Sequence, residues 1–186
     1  MTDSFDEEVV KLLQAGGAGL LPSDTVYGLS CRALDRAAVE RLHKLKNRGA
    51  DKPFIVLISD IKMLDLLSIP PGSADLVKRY WPGPLSVVFN SAAPDFLARG
   101  TGSLAVRLPN YPKLLELIDK TGPLISTSAN FRGEKTVKSV AEAERLFGDR
   151  LDFYVDAGEL DNPPSTLARI NDAKLEIIRP GAVKID

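Results

Sequence analysis

The sequence predicts an α/β domain, a mixed sheet with helices packed on it. Three observations lead there. Helical and strand-like patterns intermix along the whole chain, which calls for helices layered on a sheet. The 14 glycines and 13 prolines are spread along the 186 residues and punctuate many short elements. The last strand-like segments come in a run with turn residues between them, so part of the sheet is expected to be antiparallel. A length of 186 residues corresponds to roughly one domain. The 44% hydrophobic and 26% charged residues are the balance of an ordinary globular chain.

The elements come in the following order. Residues 5–14 read as an amphipathic helix, with Val9, Val10, Leu12 and Leu13 on or near one face, ended by Gly16 and Gly17. Residues 18–21 read as a short buried strand stopped by Pro22. A helix is expected over 35–47, with Asp35 as N-cap, Ala38, Val39, Leu42 and Leu45 at helical spacing, and Gly49 as its stop. Residues 53–59 (PFIVLIS) are too apolar for a half-exposed strand and read as a central one. Short helices are expected over 60–67 and 73–80, then strands over 85–89 and 104–108. A helix over 113–120, a strand over 124–127 and a helix over 140–147 come next. Strands over 153–155, 166–170 and 175–178 close the chain.

Composition excludes several classes. No apolar run approaches the roughly 18 residues of a membrane span, and the acidic start MTDSFDEEVV lacks a signal core. The single cysteine, Cys31, suits a reducing cytoplasm and reads as a small structural side chain. One Cys and one His cannot form a Cys/His zinc site. His43, beside Leu42, reads as an ordinary surface helix residue. The net charge of −1 is low for a protein that coats nucleic acid. There is no Walker-type phosphate loop, no G-x-G-x-x-G and no G-x-S-x-G.

Four stretches are unusual. Residues 22–28 (PSDTVYG) form a polar turn directly after a buried strand; it is either a ligand loop or a turn in which Ser23 and Asp24 satisfy local backbone groups. Lys44, Lys46, Arg48 and Lys52 place four cations within nine residues. They either complement a helix dipole or clamp phosphate. Residues 126–130 (STSAN) put small polar side chains at a strand end, to bind a ligand or to cap the next segment. Arg179-Pro180-Gly181 comes after the last strand and reads on its own as a chain-ending turn.

Taken in series, PSDTVYGL, KNR followed by KPFIVLI, WPGPLSVVF, SLAVRLP, ISTSAN and RPGAV closely resemble the threonylcarbamoyl-AMP synthases of the TsaC/YrdC family. The likeness runs from about Gly17 to Val183, and the chain resembles the short form, a single YrdC-like domain over 1–186. The resemblance implies a twisted mixed α/β sheet with packed helices and a large concave, positively lined cavity. It implies an enzyme of the nucleotidyltransferase class that makes threonylcarbamoyl-AMP and pyrophosphate from L-threonine, bicarbonate and ATP, with Mg²⁺ carried in by ATP. Downstream threonylcarbamoyl transferase proteins then modify tRNA, in the cytoplasm. The rival class is a double-stranded RNA or tRNA-binding module built on Lys44, Lys46, Arg48 and Lys52.

The family pattern carries over residue by residue. Lys46 and Arg48 match its Lys-x-Arg signature, and Ser128 and Asn130 its Ser-x-Asn signature; these four are the implied catalytic residues. Lys46, Arg48, Lys52, Ser103, Ser128, Thr136 and Arg179 match the ATP side. Thr25, Arg107, Ser126 and Ser165 match the threonine side, with Arg107 towards the carboxylate. Lys46 and Arg48 are expected at a helix end facing the cavity, outside the core. Four departures stand out: Ser23 replaces a usual Thr, Phe131-Arg132-Gly133 replaces Leu-Ser-Gly and puts a charge at the rim, Lys52 replaces an Asn, and Leu57 replaces a His of some longer members. The implied chemistry needs no protein nucleophile, only charge neutralisation and alignment.

Overall fold

The structure, a computed structural model, describes residues 5–47, 53–131, 133–172 and 174–185. The first helix, α1 (Glu7–Gln14), starts where Asp6 accepts hydrogen bonds from the Glu8 and Val9 amides. Strand β1 (Ala18–Leu21) is buried throughout. Strand β2 (Gly28–Arg32) pairs antiparallel with it. This strand is not among those expected from sequence, because its small residues, Gly28 and Ser30 between Leu29 and Cys31, give only a weak alternation.

Helix α2 (Arg36–Lys46) is capped by Asp35, which accepts from the Ala38 amide. It stops at Asn47 in the left-handed conformation, before the expected Gly49, which lies outside the described residues. Its inward face carries Val39, Leu42, His43 and Lys46, spaced i, i+3, i+4 and i+7. His43 is therefore buried against the Phe54 ring, 4.1 Å between centroids, and is not the surface residue expected.

Strand β3 (Ile55–Leu57) is the fifth of nine in the sheet, central as its composition predicts. The two short helices after it, Ile61–Leu67 and Pro71–Val77, are 3₁₀. Strand β4 (Leu85–Asn90) leads to α3 (Asp95–Ala98), a single turn that was not expected. Then come β5 (Ser103–Arg107), α4 (Pro112–Thr121), β6 (Leu124–Ser128), α5 (Val140–Phe147) and β7 (Phe153–Tyr154). Strands β8 (Thr166–Asn171) and β9 (Lys174–Arg179) complete the sheet.

The strand order is β7-β1-β2-β6-β3-β5-β4-β8-β9. The β8–β9 pair is antiparallel, as expected, and so are β1–β2, β2–β6, β3–β6 and β4–β5. The β1–β7, β3–β5 and β4–β8 pairs are parallel, which makes the sheet mixed. Among the described residues no helix is long and apolar enough to cross a membrane.

Register decides what each face does, because side chains alternate across a strand. One row crosses the sheet as Cys31, Ile125, Val56, Val106, Val87 and Ala168, all fully buried. This face rests on the main core. Burying side chains of this size stabilises the fold by about 1.5–3 kcal/mol each for the larger ones. Burial also pushes the Cys31 thiol pKa up, so it stays a neutral packing group.

The opposite face is split. At one end α1 and α4 lay Val9, Leu13, Leu117 and Ile118 over Leu57 and Leu124. Beyond them the rows turn polar. Ser30 faces Ser126, and Gly28 faces Ser128. Ala105 faces Ile55, and Leu167 faces both Ser86 and Arg179.

Candidate active site

The open half of the face holds a cleft of about 170 Å³, lined among others by Thr25, Arg107, Ser126, Ser128, Ser165 and Arg179. Its walls come from the loop before β2, the ends of β5, β6 and β9, and the chain entering β3 and β8. Six of the residues singled out from sequence thus meet in one place. The large concave cavity implied by the resemblance is not shown by this volume, which is below the roughly 300–1,000 Å³ common for ligand pockets.

Arg107 organises the threonine-side wall. Its Nε donates to Gly83 O (3.1 Å), Nη1 to Thr25 Oγ1 (3.0 Å), and Nη2 to Asp24 Oδ1. The other Asp24 oxygen accepts from the Asn110 amide at 3.0 Å. Both side chains are largely buried. Burial pushes the Arg107 pKa down, and the Asp24 charge opposes that shift. Three of the five guanidinium N–H groups are engaged here, leaving two that these bonds do not use.

The first loop is fixed from within and from without. Ser23 Oγ donates to Val26 O and accepts from the Thr25 amide, the local turn that sequence allowed. Asp24 does not serve that turn; it reaches Arg107 and Asn110. Tyr27 is fully buried; its one hydroxyl proton is donated to Gly158 O (2.7 Å), with Asp156 Oδ1 as the more distant second acceptor (3.1 Å), and its oxygen accepts from the Ala157 amide. Burial pushes its phenol pKa up to about 12, so it keeps its proton. At Gly28 a Cβ would come within 2.6 Å of Ser126 Oγ, so glycine leaves that hydroxyl its place in the cleft wall.

Lys46 corrects an expectation. It is 5% exposed, within the fold and not outside the core. Its Nζ donates to Ser128 O (2.8 Å) and to Asn130 O and Oδ1 (both 2.5 Å). Ser128 Oγ donates to Asn130 Oδ1 at 2.9 Å, and Asn130 Nδ2 to Glu134 O at 2.6 Å. The two signatures, Lys46 of the first and Ser-x-Asn of the second, are therefore one bonded cluster at the end of β6. Lys44, two residues before Lys46, is exposed, so the basic run is not one surface. Arg48, Lys52 and Arg132 lie outside the described residues.

Ser103 and Thr136 are not among the residues lining the cleft. Ser103 shares the strand face of Ala105 and Arg107, and its hydroxyl donates to Thr101 Oγ1 at 3.2 Å. Thr136 precedes Val137, whose amide donates to Ala129 O and folds the segment back against β6.

The closing RPG turn is more than a chain end. Arg179 Nη2 donates to Ser165 O (2.9 Å), and the Ala182 amide to Pro164 O (2.9 Å). A Cβ on Gly181 would lie 2.3 Å from Pro164 O and 2.6 Å from the Thr166 amide nitrogen. Backbone cannot yield at that distance as a flexible side chain would. Gly181→Ala is expected to cost about 1–3 kcal/mol through this overpacking and to shift Ser165. A thermal melt that matches the unaltered protein would mean that this crossing does not hold Ser165.

Sequence reasoning placed Asp24 in the first loop but missed its tie to Arg107, and it missed Gly83 and Ser86 as parts of the site. The signal for Ser86 was available: it is the one hydroxyl inside the apolar run LSVVF. The pairing of Asp24 and Gly83 with Arg107 carried no such signal, because Arg107 comes from a distant strand.

Among the described residues the cleft lining carries two guanidinium groups and several hydroxyls, and no carboxylate. Among the described residues no group of three or more His, Cys, Asp or Glu could hold a metal ion. The described lining side chains therefore do not fit as ligands of a magnesium ion, which would be met here by phosphate oxygens and water.

Together these features define an α/β protein with a cationic, hydroxyl-rich cleft on one face of a mixed sheet, suited to a small anionic ligand. The chain belongs to the Sua5_yciO_yrdC family, described as telomere recombination, whose profile matches residues 11–181. It is 32% identical to the threonylcarbamoyl-AMP synthase of Pyrococcus abyssi, over 94% of this chain and 53% of that protein. The threonylcarbamoyl-AMP synthase of Pseudomonas putida is also 32% identical, over 94% of this chain and 96% of that protein. Among solved structures, P. abyssi Sua5 complexed with L-threonine superposes with a TM-score of 0.85, at 32% identity, over 94% of this chain and 53% of that one. The chain thus spans about half the length of the Pyrococcus protein.

Proposed function

We propose that the chain is a threonylcarbamoyl-AMP synthase, a nucleotidyltransferase that joins L-threonine, bicarbonate and ATP and releases pyrophosphate. The observation that carries this reading is the convergence of Thr25, Arg107, Ser126, Ser165 and Arg179 on one cleft in a chain of this family. One continuous nine-stranded sheet supports reading residues 1–186 as a single domain.

The chemistry asks for alignment and charge neutralisation. Threonine's neutral amine bonds to the bicarbonate carbon, whose hydroxyl leaves as water with an amine proton, and an oxygen of the resulting carbamate attacks the α-phosphorus. The new O–P bond forms as the bond to the bridging oxygen breaks and pyrophosphate leaves. The two Arg107 N–H groups not used by Gly83, Thr25 and Asp24 are assigned to the substrate carboxylate. Thr25, Ser126 and Ser165 are assigned to its amine and hydroxyl. Arg179, with Lys52, Ser103 and Thr136, is assigned to the nucleotide, and Arg48 to the phosphates. Lys46 holds the Ser128–Asn130 turn in place for the same phosphates.

Threonylcarbamoyl-AMP is labile and must be passed on, which fits transfer to tRNA by downstream proteins in the cytoplasm. The rival RNA-module reading relied on the basic run around Lys46, and the inward turn of Lys46 takes that run apart.

Pyrophosphate release is expected only with threonine and bicarbonate together, with the adenylate visible by mass spectrometry. Valine should fail, because a site that hydrogen-bonds the substrate hydroxyl rejects an analogue lacking it by about 10⁴-fold or more. Release that ignores threonine, or that yields ADP, would sink this reading.

A further inference from the structure

We infer that Ser86 is a positioning residue for the threonine side of the cleft, acting through Ser165. The inference deepens the proposed function and rests on it. Ser86 sits in β4, where its neighbours Leu85 and Val87 are core residues. It is fully buried. A buried hydroxyl is unfavourable unless it is hydrogen-bonded, and packing alone would be served as well by alanine or valine. Its Oγ lies 2.9 Å from Ser165 Oγ, and either can be the donor.

Register places this pair on the cleft face. Val87 is opposite Val106, and the next step of the ladder brings Ser86 beside Arg107. On its other side Ser86 faces Leu167, which in turn faces Arg179. Leu167, Arg107 and Arg179 all line the cleft, and so does Ser165. Ser86 thus lies in the row joining the two guanidinium-bearing strands, one layer beneath the surface a ligand would touch.

Ser165 is held at its other groups too. Its carbonyl accepts from Arg179, and Gly181 packs against its backbone. Only the hydroxyl could rotate, and Ser86 fixes it. When Ser86 donates, the Ser165 proton is available to the cleft. When Ser86 accepts, the Ser165 oxygen keeps a lone pair for a substrate donor. The pair can therefore answer either a hydroxyl or an ammonium group without moving backbone, and Ser86 sets where that answer is given.

The test is steady-state kinetics of pyrophosphate release with the full chain. Ser86→Ala should raise the KM for threonine about tenfold, as expected when a buried partner is left unsatisfied. The KM for ATP should move less than about twofold, since the nucleotide side keeps its partners. In a Ser165→Ala background the same change should have no further effect on threonine KM, since the two act as a unit. Ser86→Cys, which keeps volume but is a poor hydrogen-bonding group, takes the same test should the alanine variant fail to fold. An unchanged threonine KM in a folded variant overturns the inference, as does an equal effect in both backgrounds. A wild-type protein that does not use threonine overturns the synthase reading and this inference with it, and is recognised before any variant is made.

Discussion

Asp24→Ala is expected to lower the melting temperature by roughly 10 °C, the largest effect on stability predicted for a single side chain here. The reason is a charge left behind. Arg107 is buried at the end of β5 and shares its charge with Asp24, itself only 12% exposed. Removing one partner of a buried pair costs about 3–5 kcal/mol, because the other charge stays desolvated. A chain of this length loses about 2–4 °C per kcal/mol. That is a large share of the roughly 5–15 kcal/mol that holds an ordinary domain together.

Asp24→Asn keeps an oxygen towards Arg107 and should fall between the two. The double change Asp24→Ala with Arg107→Met should be milder than the sum of the singles, since no unpaired charge remains. Differential scanning calorimetry on these proteins decides the matter. A melt of Asp24→Ala within about 2 °C of wild type would mean that the pair is not what fixes this wall. Function should follow stability here, because the same guanidinium holds Thr25 and hence the first loop.

The second large effect is expected at Lys46. Lys46→Met keeps most of the side chain's volume and removes its charge and three donated hydrogen bonds. Turnover should fall about 10²–10³-fold, the range for losing one preorganised electrostatic group. Stability should fall as well, by about 1.5–3 kcal/mol for hydrogen bonds to a charged group. Both effects arise because Lys46 ties the end of α2 to Ser128 and Asn130 at the end of β6. Lys46→Arg should restore little, since a planar fork cannot take the place of a compact ammonium among three converging oxygens. Single-turnover adenylate formation and a thermal melt on the same samples separate the two effects. Near wild-type turnover in Lys46→Met would leave the cluster a purely structural tie.

The pattern that buries Lys46 is present in the amino-acid order itself. Val39, Leu42, His43 and Lys46 are spaced i, i+3, i+4 and i+7, the inner stripe of an amphipathic helix. Residue type pointed the other way, because lysines and histidines are more often exposed. Periodicity was the better guide, since the helix geometry is set by the backbone and the side chain must go where its Cα points.

Much else was local and therefore readable. Helical spacing of apolar residues marked α1 and α2, the latter with its cap Asp35, and continuous apolar runs marked β1 and the central β3, because such patterns sit within a few neighbouring positions. The single cysteine and the apolar run of β3 likewise carried their meaning in sequence. Pairing did not. That Arg107 would meet Asp24, that Gly181 would cross Pro164, and that Ser86 would reach Ser165 depends on contacts 83, 17 and 79 residues apart. Such partners are chosen by strand order and register. A one-residue slip would turn every side chain to the other face. The amino-acid order by itself determined most of the elements, β2 and α3 excepted, and which residues carried chemistry; only the tertiary structure decided which of them share a face, because the register that aligns Arg107, Ser86, Leu167 and Arg179 is written in no single strand.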